Sequence, residues 1–181
     1  MVYIILGDGF EEIEAVAPGD ILRRGGVEVK YVGVNGPRVR GAHDITISAD
    51  IVLDSSLKFT SEDLIVIPGG LGGVETIENS SLAMSVLKSA AEAGAKFAAI
   101  CAGPRVLSRL GLLEGRSFTC YPGMEGQMKG GKYLGDNAAL KDNGIITGRA
   151  PGAAIDFGLA LLAFVKGGRI SEQVRSDLVY V

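Results

Sequence analysis

The 181 residues contain no tryptophan, one histidine and two cysteines, and each scarcity excludes something. His43, Cys101 and Cys120 show no metal-ligand spacing, which argues against a zinc site. Two cysteines do not make a disulfide framework, so a reducing compartment, the cytoplasm, is expected. A net charge of −3 asks for no nucleic-acid or membrane partner. The most apolar stretch, residues 153–165, is interrupted by Asp156 and is too short to span a bilayer. The chain enters a strand within two residues of its start, so no signal peptide is expected.

What is present reads as a globular fold. Hydrophobic residues make up 47% and charged residues 22%, and the length suits one domain over residues 1–181. Glycine is abundant, 27 residues, about twice the usual share. The glycines fall at strand ends, as tight strand-to-helix turns require.

Residues 2–6 form a short apolar strand of the kind buried on both faces of a sheet. A helix follows with Ile13, Val16, Ala17, Ile21 and Leu22 at helical spacing. Pro18 should kink or shorten it. Gly25-Gly26 should end it, with Arg23 and Arg24 against its C-terminal dipole. A second strand spans 27–34. Residues 44–53 alternate, with Ile45, Ile47, Ile51 and Leu53 on one face, as in a small antiparallel hairpin or flap at a sheet edge. Residues 63–67 are a buried strand leading into the glycine-rich turn 68–73. A helix over 80–93 is capped by Asn79 or Ser80. Further strands are predicted at 96–100, 117–120 and 144–148, then an apolar helix over 153–165 and a short helix or tail over 171–179. Alternating strands and helices without a repeat predict an α/β fold: a doubly wound, mainly parallel sheet with helices on both faces.

Two phosphate-binding patterns fail on inspection. Gly7-Asp8-Gly9 precedes a helix, but Glu12 stands where a dinucleotide fingerprint needs glycine, and Glu11, Glu12 and Glu14 repel a pyrophosphate. Residues 126–132 imitate a P-loop, but Tyr133 replaces the required Ser/Thr and no strand leads in. The bare amides of 68–73 are instead suited to a developing oxyanion. The glutamates are at least favourable charge in a first helical turn. A carboxylate at the carboxyl end of the first strand also points into the usual α/β ligand crevice.

The chemistry concentrates at Ala98-Ala99-Ile100-Cys101-Ala102-Gly103-Pro104. An apolar strand ends at a cysteine and a helix opens at once, with Pro104 in its first turn. The arrangement resembles the nucleophile elbow of hydrolases, with Cys for Ser and Ala99 in place of the first glycine. Amides at a helix start stabilise thiolate. On spacing alone, Cys101 reads equally as a small core hydrophobe.

Four motifs occur in order: Gly9-Phe10-Glu11-Glu12-Ile13-Glu14, Ile67-Pro68-Gly69-Gly70, the Cys101 elbow, and Arg149-Ala150-Pro151-Gly152. Together they resemble the DJ-one (ThiJ/PfpI) family, most closely its small single-domain branch, over essentially the whole chain. The resemblance implies a flavodoxin-like three-layer sandwich, a homodimer, and no cofactor. It implies a catalytic Cys101 with Glu14 as acidic partner, and an anion pocket of Gly70 and Ala102 amides. It points to methylglyoxal or glyoxal becoming lactate or glycolate, and to related deglycase action on glycated groups. Many members carry a histidine where this chain reads Cys120-Tyr121-Pro122, so a Cys–His dyad, and with it an amidase or peptidase, is disfavoured. Tyr121, His43 and Arg24 are the accessory candidates. Cys120 reads as a plain strand residue.

Ionised Glu14 beside Cys101 would oppose a thiolate, so the sensible arrangement shares one proton between them. Such a pair suits attack on a reactive aldehyde followed by proton transfer between adjacent carbons. The alternative is a redox-responsive stress protein or chaperone in which Cys101 is oxidised to sulfenic or sulfinic acid.

Overall fold

Burial on both faces of the apolar strands produces the sheet that the sequence predicts. In a computed structural model, which describes residues 1–180, the elements run β1 (Val2–Leu6), α1 (Glu12–Arg24), β2 (Val29–Gly33), β3 (Arg38–Arg40), β4 (Thr46–Ser48) and β5 (Ile51–Val52). Then come β6 (Leu64–Ile67), α2 (Leu71–Asn79), α3 (Ser81–Glu92), β7 (Lys96–Ile100), α4 (Pro104–Arg109), β8 (Ser117–Phe118) and β9 (Lys132–Tyr133). The chain closes with β10 (Ala139–Asp142), β11 (Ile145–Gly148), α5 (Ala154–Lys166) and α6 (Gly168–Asp177).

Seven strands form the main sheet in the order β10-β11-β7-β6-β1-β2-β5. Every pairing is parallel except β10 with β11. The chain steps from β1 outward to β2 and later returns to lay β6 on the other side of β1. That reversal opens a crevice beyond the carboxyl ends of β1, β6 and β7, where an open α/β sheet holds its ligand.

Alternation divides the core in two. Ile4, Leu6, Val66 and Ile100 pack with Ala15, Leu22, Phe157 and Leu161 of α1 and α5. Ile5, Ile65, Ile67 and Ala99 pack with Val74, Ile77, Leu87 and Val106 of α2, α3 and α4. Each large side chain so buried contributes about 1.5–3 kcal/mol.

Several expectations change. α1 runs unbroken through Pro18. The ring removes the bond to the Glu14 carbonyl, but α5 presses close enough that a Cβ on Gly158 would lie 3.0 Å from the Pro18 Cα. Burial against α5 holds the turn that propensity disfavours. The glycine-rich turn ends at Gly70, and Gly72 and Gly73 lie inside α2, a helix the sequence hides behind its glycines. Gly73 has a steric cause, since a Cβ there would sit 2.7 Å from the Phe10 Cα, and Gly9 is needed opposite, where a Cβ would lie 2.9 Å from the Gly72 Cα. The 44–53 stretch splits between β4, whose antiparallel partner is β3, and β5, which extends the sheet beside β2. β8 is shorter than the predicted strand and pairs with β9 outside the main sheet. β10 was not predicted. As expected, the Ser80 hydroxyl caps α3, accepting from the Ala83 N–H at 3.1 Å.

Candidate active site

Three strand ends converge on the crevice. β7 stops at Ile100, and Cys101 takes φ +64°, a left-handed conformation costly for a side chain with a Cβ. Its surroundings hold it there. The Cys101 N–H donates to the Gly148 carbonyl at 3.0 Å, and the Cys101 carbonyl accepts from the Tyr121 N–H at 3.0 Å. Gly103 then passes so near β6 that a Cβ would meet the Ile67 carbonyl oxygen at 2.5 Å.

From β1 the loop 7–11 leads into α1, whose third residue is Glu14. The loop is anchored by buried Phe10 and by the Glu11 N–H, which donates to the Gly69 carbonyl at 3.0 Å. Glu14 is wholly buried. Its Oε2 accepts from the Gly69 N–H at 2.8 Å, while Oε1 makes no conventional hydrogen bond. Burial pushes the carboxyl up to about 7, and the charge of Glu11 adds to that; the Cys101 thiol and the Gly69 N–H pull the other way. The pKa of Cys101 is raised in turn, by burial and then by the Glu14 carboxylate. The N–H groups of Ala102 and Gly70 point at the sulfur and oppose that rise. The amides of the elbow therefore do not by themselves yield a thiolate. A proton placed on Glu14 removes the opposing charge, though burial of the sulfur still works against the amides.

Gly69 is the hinge of this contact. A Cβ there would lie 2.4 Å from Glu14 Oε2, 2.7 Å from the Cys101 Cβ and 3.0 Å from the Ala102 nitrogen. Gly70, at φ +84°, turns the chain so that α2 begins beside the sulfur.

Cys101 is 8% exposed and forms the floor of a cavity of about 490 Å³. Glu11, Gly70, Leu71, Ala102, Tyr121, Met124, Gln127 and Pro151 are among the residues that line it. Cys101, Glu14, Gly70 and Ala102 are thus brought together, and Tyr121 lines the same cavity. His43 does not line the cavity. It clamps the β3–β4 hairpin to α1: its backbone N–H donates to Glu12 Oε1 at 2.7 Å and its Nδ1 lies 2.9 Å from Glu12 Oε2. The ligand atoms of Glu11, Glu12 and His43 fall within 4.8 Å of one another. Glu12 is already occupied there by His43 and by the Ile45 N–H, so the group reads as a clamp and not as a cation site. Arg24 is not brought to the cavity either. It sits at the opposite end of α1, about 15 Å along the axis from Glu14, and pairs with Asp20 at 2.6 Å. Cys120 is fully buried, and burial pushes its thiol up to about 12.

Sequence reasoning missed Leu71, Met124 and Gln127 as cavity residues. Leu71 follows the motif Gly69-Gly70 directly and was within reach. The other two lie in an irregular stretch without periodicity, where only tertiary packing decides what faces the site.

Comparison with known proteins agrees with this geometry. Over 180 residues the chain is 38% identical to Protein dj-1beta of Drosophila melanogaster, covering 97% of this chain and 95% of that protein. The crystal structure of Drosophila melanogaster DJ-1beta superposes with a TM-score of 0.91 at 36% identity, covering 99% of this chain and 97% of that one. A Caenorhabditis elegans relative named glutathione-independent glyoxalase DJR-1.2 is 36% identical over 159 residues, 87% of this chain and 83% of that protein. The DJ-1/PfpI family model matches residues 1–164, and with the elbow, its buried glutamate and the sheet in place, the chain belongs to that family.

Proposed function

We propose that the protein is a cofactor-independent glyoxalase in which Cys101 is the nucleophile and Glu14 the proton shuttle. The observation that carries this reading is the pairing of a cysteine at the floor of an open cavity with a buried carboxyl held near pKa 7. A relative named a glyoxalase supports it.

With methylglyoxal, the Cys101 sulfur attacks the aldehyde carbon, and the proton shared with Glu14 passes to the aldehyde oxygen, forming a hemithioacetal. The amides of Gly70 and Ala102 steady the negative charge on the oxygen as it develops. Glu14, now a carboxylate, takes the hydrogen from that carbon and returns it to the neighbouring one. The hydroxyl proton crosses to the second oxygen, and a lactoyl thioester remains. Water cleaves the carbon–sulfur bond, releasing lactate and restoring the thiol. Atoms balance as methylglyoxal plus water giving lactic acid, and no oxidant is consumed. Glyoxal yields glycolate by the same steps, and the same sulfur suits aldehyde-derived groups on glycated molecules.

The test is conversion of methylglyoxal to lactate by the whole protein. Cys101→Ala should abolish it, and Glu14→Gln should lower kcat by about 100- to 10,000-fold. Wild-type turnover no greater than that of Cys101→Ala would overturn the reading. A second reading rests on the same amides and carboxyl, which suit an oxidised sulfur equally well: Cys101 as a redox-responsive thiol. Peroxide treatment followed by intact mass decides it, since a sulfur that gains no oxygen ends that reading. We also propose self-association as a homodimer through the exposed apolar residues Ile13 and Val16 of α1 and the neighbouring Ile45.

A further inference from the structure

The cavity is far larger than a three-carbon aldehyde needs. About 490 Å³ falls in the range of sites for drug-sized ligands. Methylglyoxal bound to Cys101 leaves most of that space empty. The rest of the lining therefore bears on a longer substrate.

Gln127 is one of the lining residues, and its side-chain oxygen has a partner outside the cavity lining. Its Oε1 accepts from Arg105 Nη1 at 3.4 Å. Arginine only donates, so this contact turns the amide oxygen toward Arg105 and leaves the NH2 group, with two donors, available to a ligand in the cavity that Gln127 lines. Arg105 is itself held. Its Nε donates to Glu78 Oε1 at 3.1 Å and its Nη2 pairs with Glu78 Oε2. The Glu78 side chain is 2% exposed and takes a second arginine, Arg109, at 3.1 Å. A buried carboxylate on α2 thus holds an arginine on α4, and that arginine donates to the amide oxygen of a lining residue.

The remaining polar lining decides what the amide meets. Glu11, whose Oε2 lies 3.6 Å from His43 Nδ1, and Tyr121 are polar residues of the same lining, which is otherwise largely apolar. An anionic tail would face the Glu11 charge. A neutral tail bearing hydroxyls finds an acceptor in Glu11, donors in Gln127 and either in Tyr121.

We propose that Gln127, positioned by the Glu78–Arg105 pair, is a specificity-determining residue that selects α-oxoaldehydes with a neutral hydroxylated tail, the class formed by sugar breakdown. This rests on the glyoxalase reading for the reacting end and concerns only the far end of the substrate.

The experiment compares steady-state kinetics on methylglyoxal, on 3-deoxyglucosone and on 2-oxohexanal, an alkyl-tailed control of the same chain length. Wild type should favour 3-deoxyglucosone over 2-oxohexanal. Gln127→Glu keeps an acceptor for Arg105 but removes the NH2 donor, and Gln127→Ala removes both. Each should raise KM for 3-deoxyglucosone about 3- to 10-fold more than for 2-oxohexanal, the worth of one hydrogen bond, with kcat moving less. Arg105→Gln should show the same split, because it frees the amide to turn. A Gln127→Glu variant that keeps the wild-type preference, or loses both substrates equally, overturns the proposal. Absence of turnover on every aldehyde would sink the glyoxalase reading and not this one. In that case calorimetry of 3-deoxyglucosone with Cys101→Ala and with Cys101→Ala/Gln127→Glu decides it. Equal affinity for the two would refute the proposal, and a weaker double variant would support it.

Discussion

At the scale of single residues, the site depends on one missing methyl. Gly69→Ala places a Cβ against Glu14 Oε2, the Cys101 Cβ and the Ala102 nitrogen at once. Two of those three atoms belong to the strained elbow and cannot retreat. The variant should lose about 1–3 kcal/mol of stability by overpacking, and more than about 100-fold in activity, because the acid and the sulfur are pushed apart. Urea unfolding and aldehyde turnover measure the two effects. Glu14 also leaves a signature in stability. Its folded pKa of about 7 stands above the ordinary 4.5, so the folded protein keeps a proton that the unfolded chain releases. That contribution is complete below pH 4.5 and is lost as pH rises through about 7, by at most about 3 kcal/mol. Glu14→Gln should flatten the slope in this window, and an unchanged slope would show that another group sets it.

At the scale of elements, α1 carries the acid, and α5 decides where α1 lies. The two helices touch at Gly158, where a Cβ would meet Ile21 Cδ1 at 2.8 Å and the Pro18 Cα at 3.0 Å. Gly158→Val should push α1 outward, costing about 2–3 kcal/mol and lowering kcat through displacement of Glu14. Denaturant midpoint and kinetics together test this. A stability loss without an effect on kcat would show that α1 keeps its place by the loop 7–11 alone. The β1 strand and the existence of α1 were legible in the sequence, but not the buried face of α1: Ile21 and Leu22 are buried as their spacing suggests, whereas Ile13 and Val16 lie open and Glu12 and Glu14 are buried. The survival of the helix through Pro18 was not, because it depends on a neighbour far along the chain. α2 was illegible for a related reason: its glycines lower helix propensity, yet they are what allow it to approach the loop 7–11.

At the scale of the molecule, the strand order places the crevice and the helices close it on both faces. Among the described residues no helix is long and apolar enough to cross a membrane. The open surface carries Ile13 at 54% exposure, Val16 at 45% and Ile45 at 57%. Ile13 and Val16 are one turn apart on α1, and the Ile45 N–H reaches Glu12 at 3.4 Å. An apolar face of this kind on a helix that carries an active-site residue suits contact with a second copy. Ile13→Lys should shift the mass seen by light scattering toward the monomer while far-UV circular dichroism stays unchanged. A wild-type protein that is already monomeric would refute the homodimer.

The sequence alone settled the class of fold, the strand that ends in Cys101 and the family resemblance, and it was that resemblance, not spacing, that singled out Glu14 among three glutamates. The first three are carried by local pattern: apolar runs, helical spacing and short motifs in a set order. Tertiary structure alone decided the rest. It showed that Gly69 sits between the acid and the sulfur, that Arg24 and His43 stand away from the cavity, and that Gln127 lines it while accepting from Arg105. Those facts depend on distances between residues remote in sequence, which side-chain periodicity does not encode and only the packing of α1, α2 and α4 around the sheet can set.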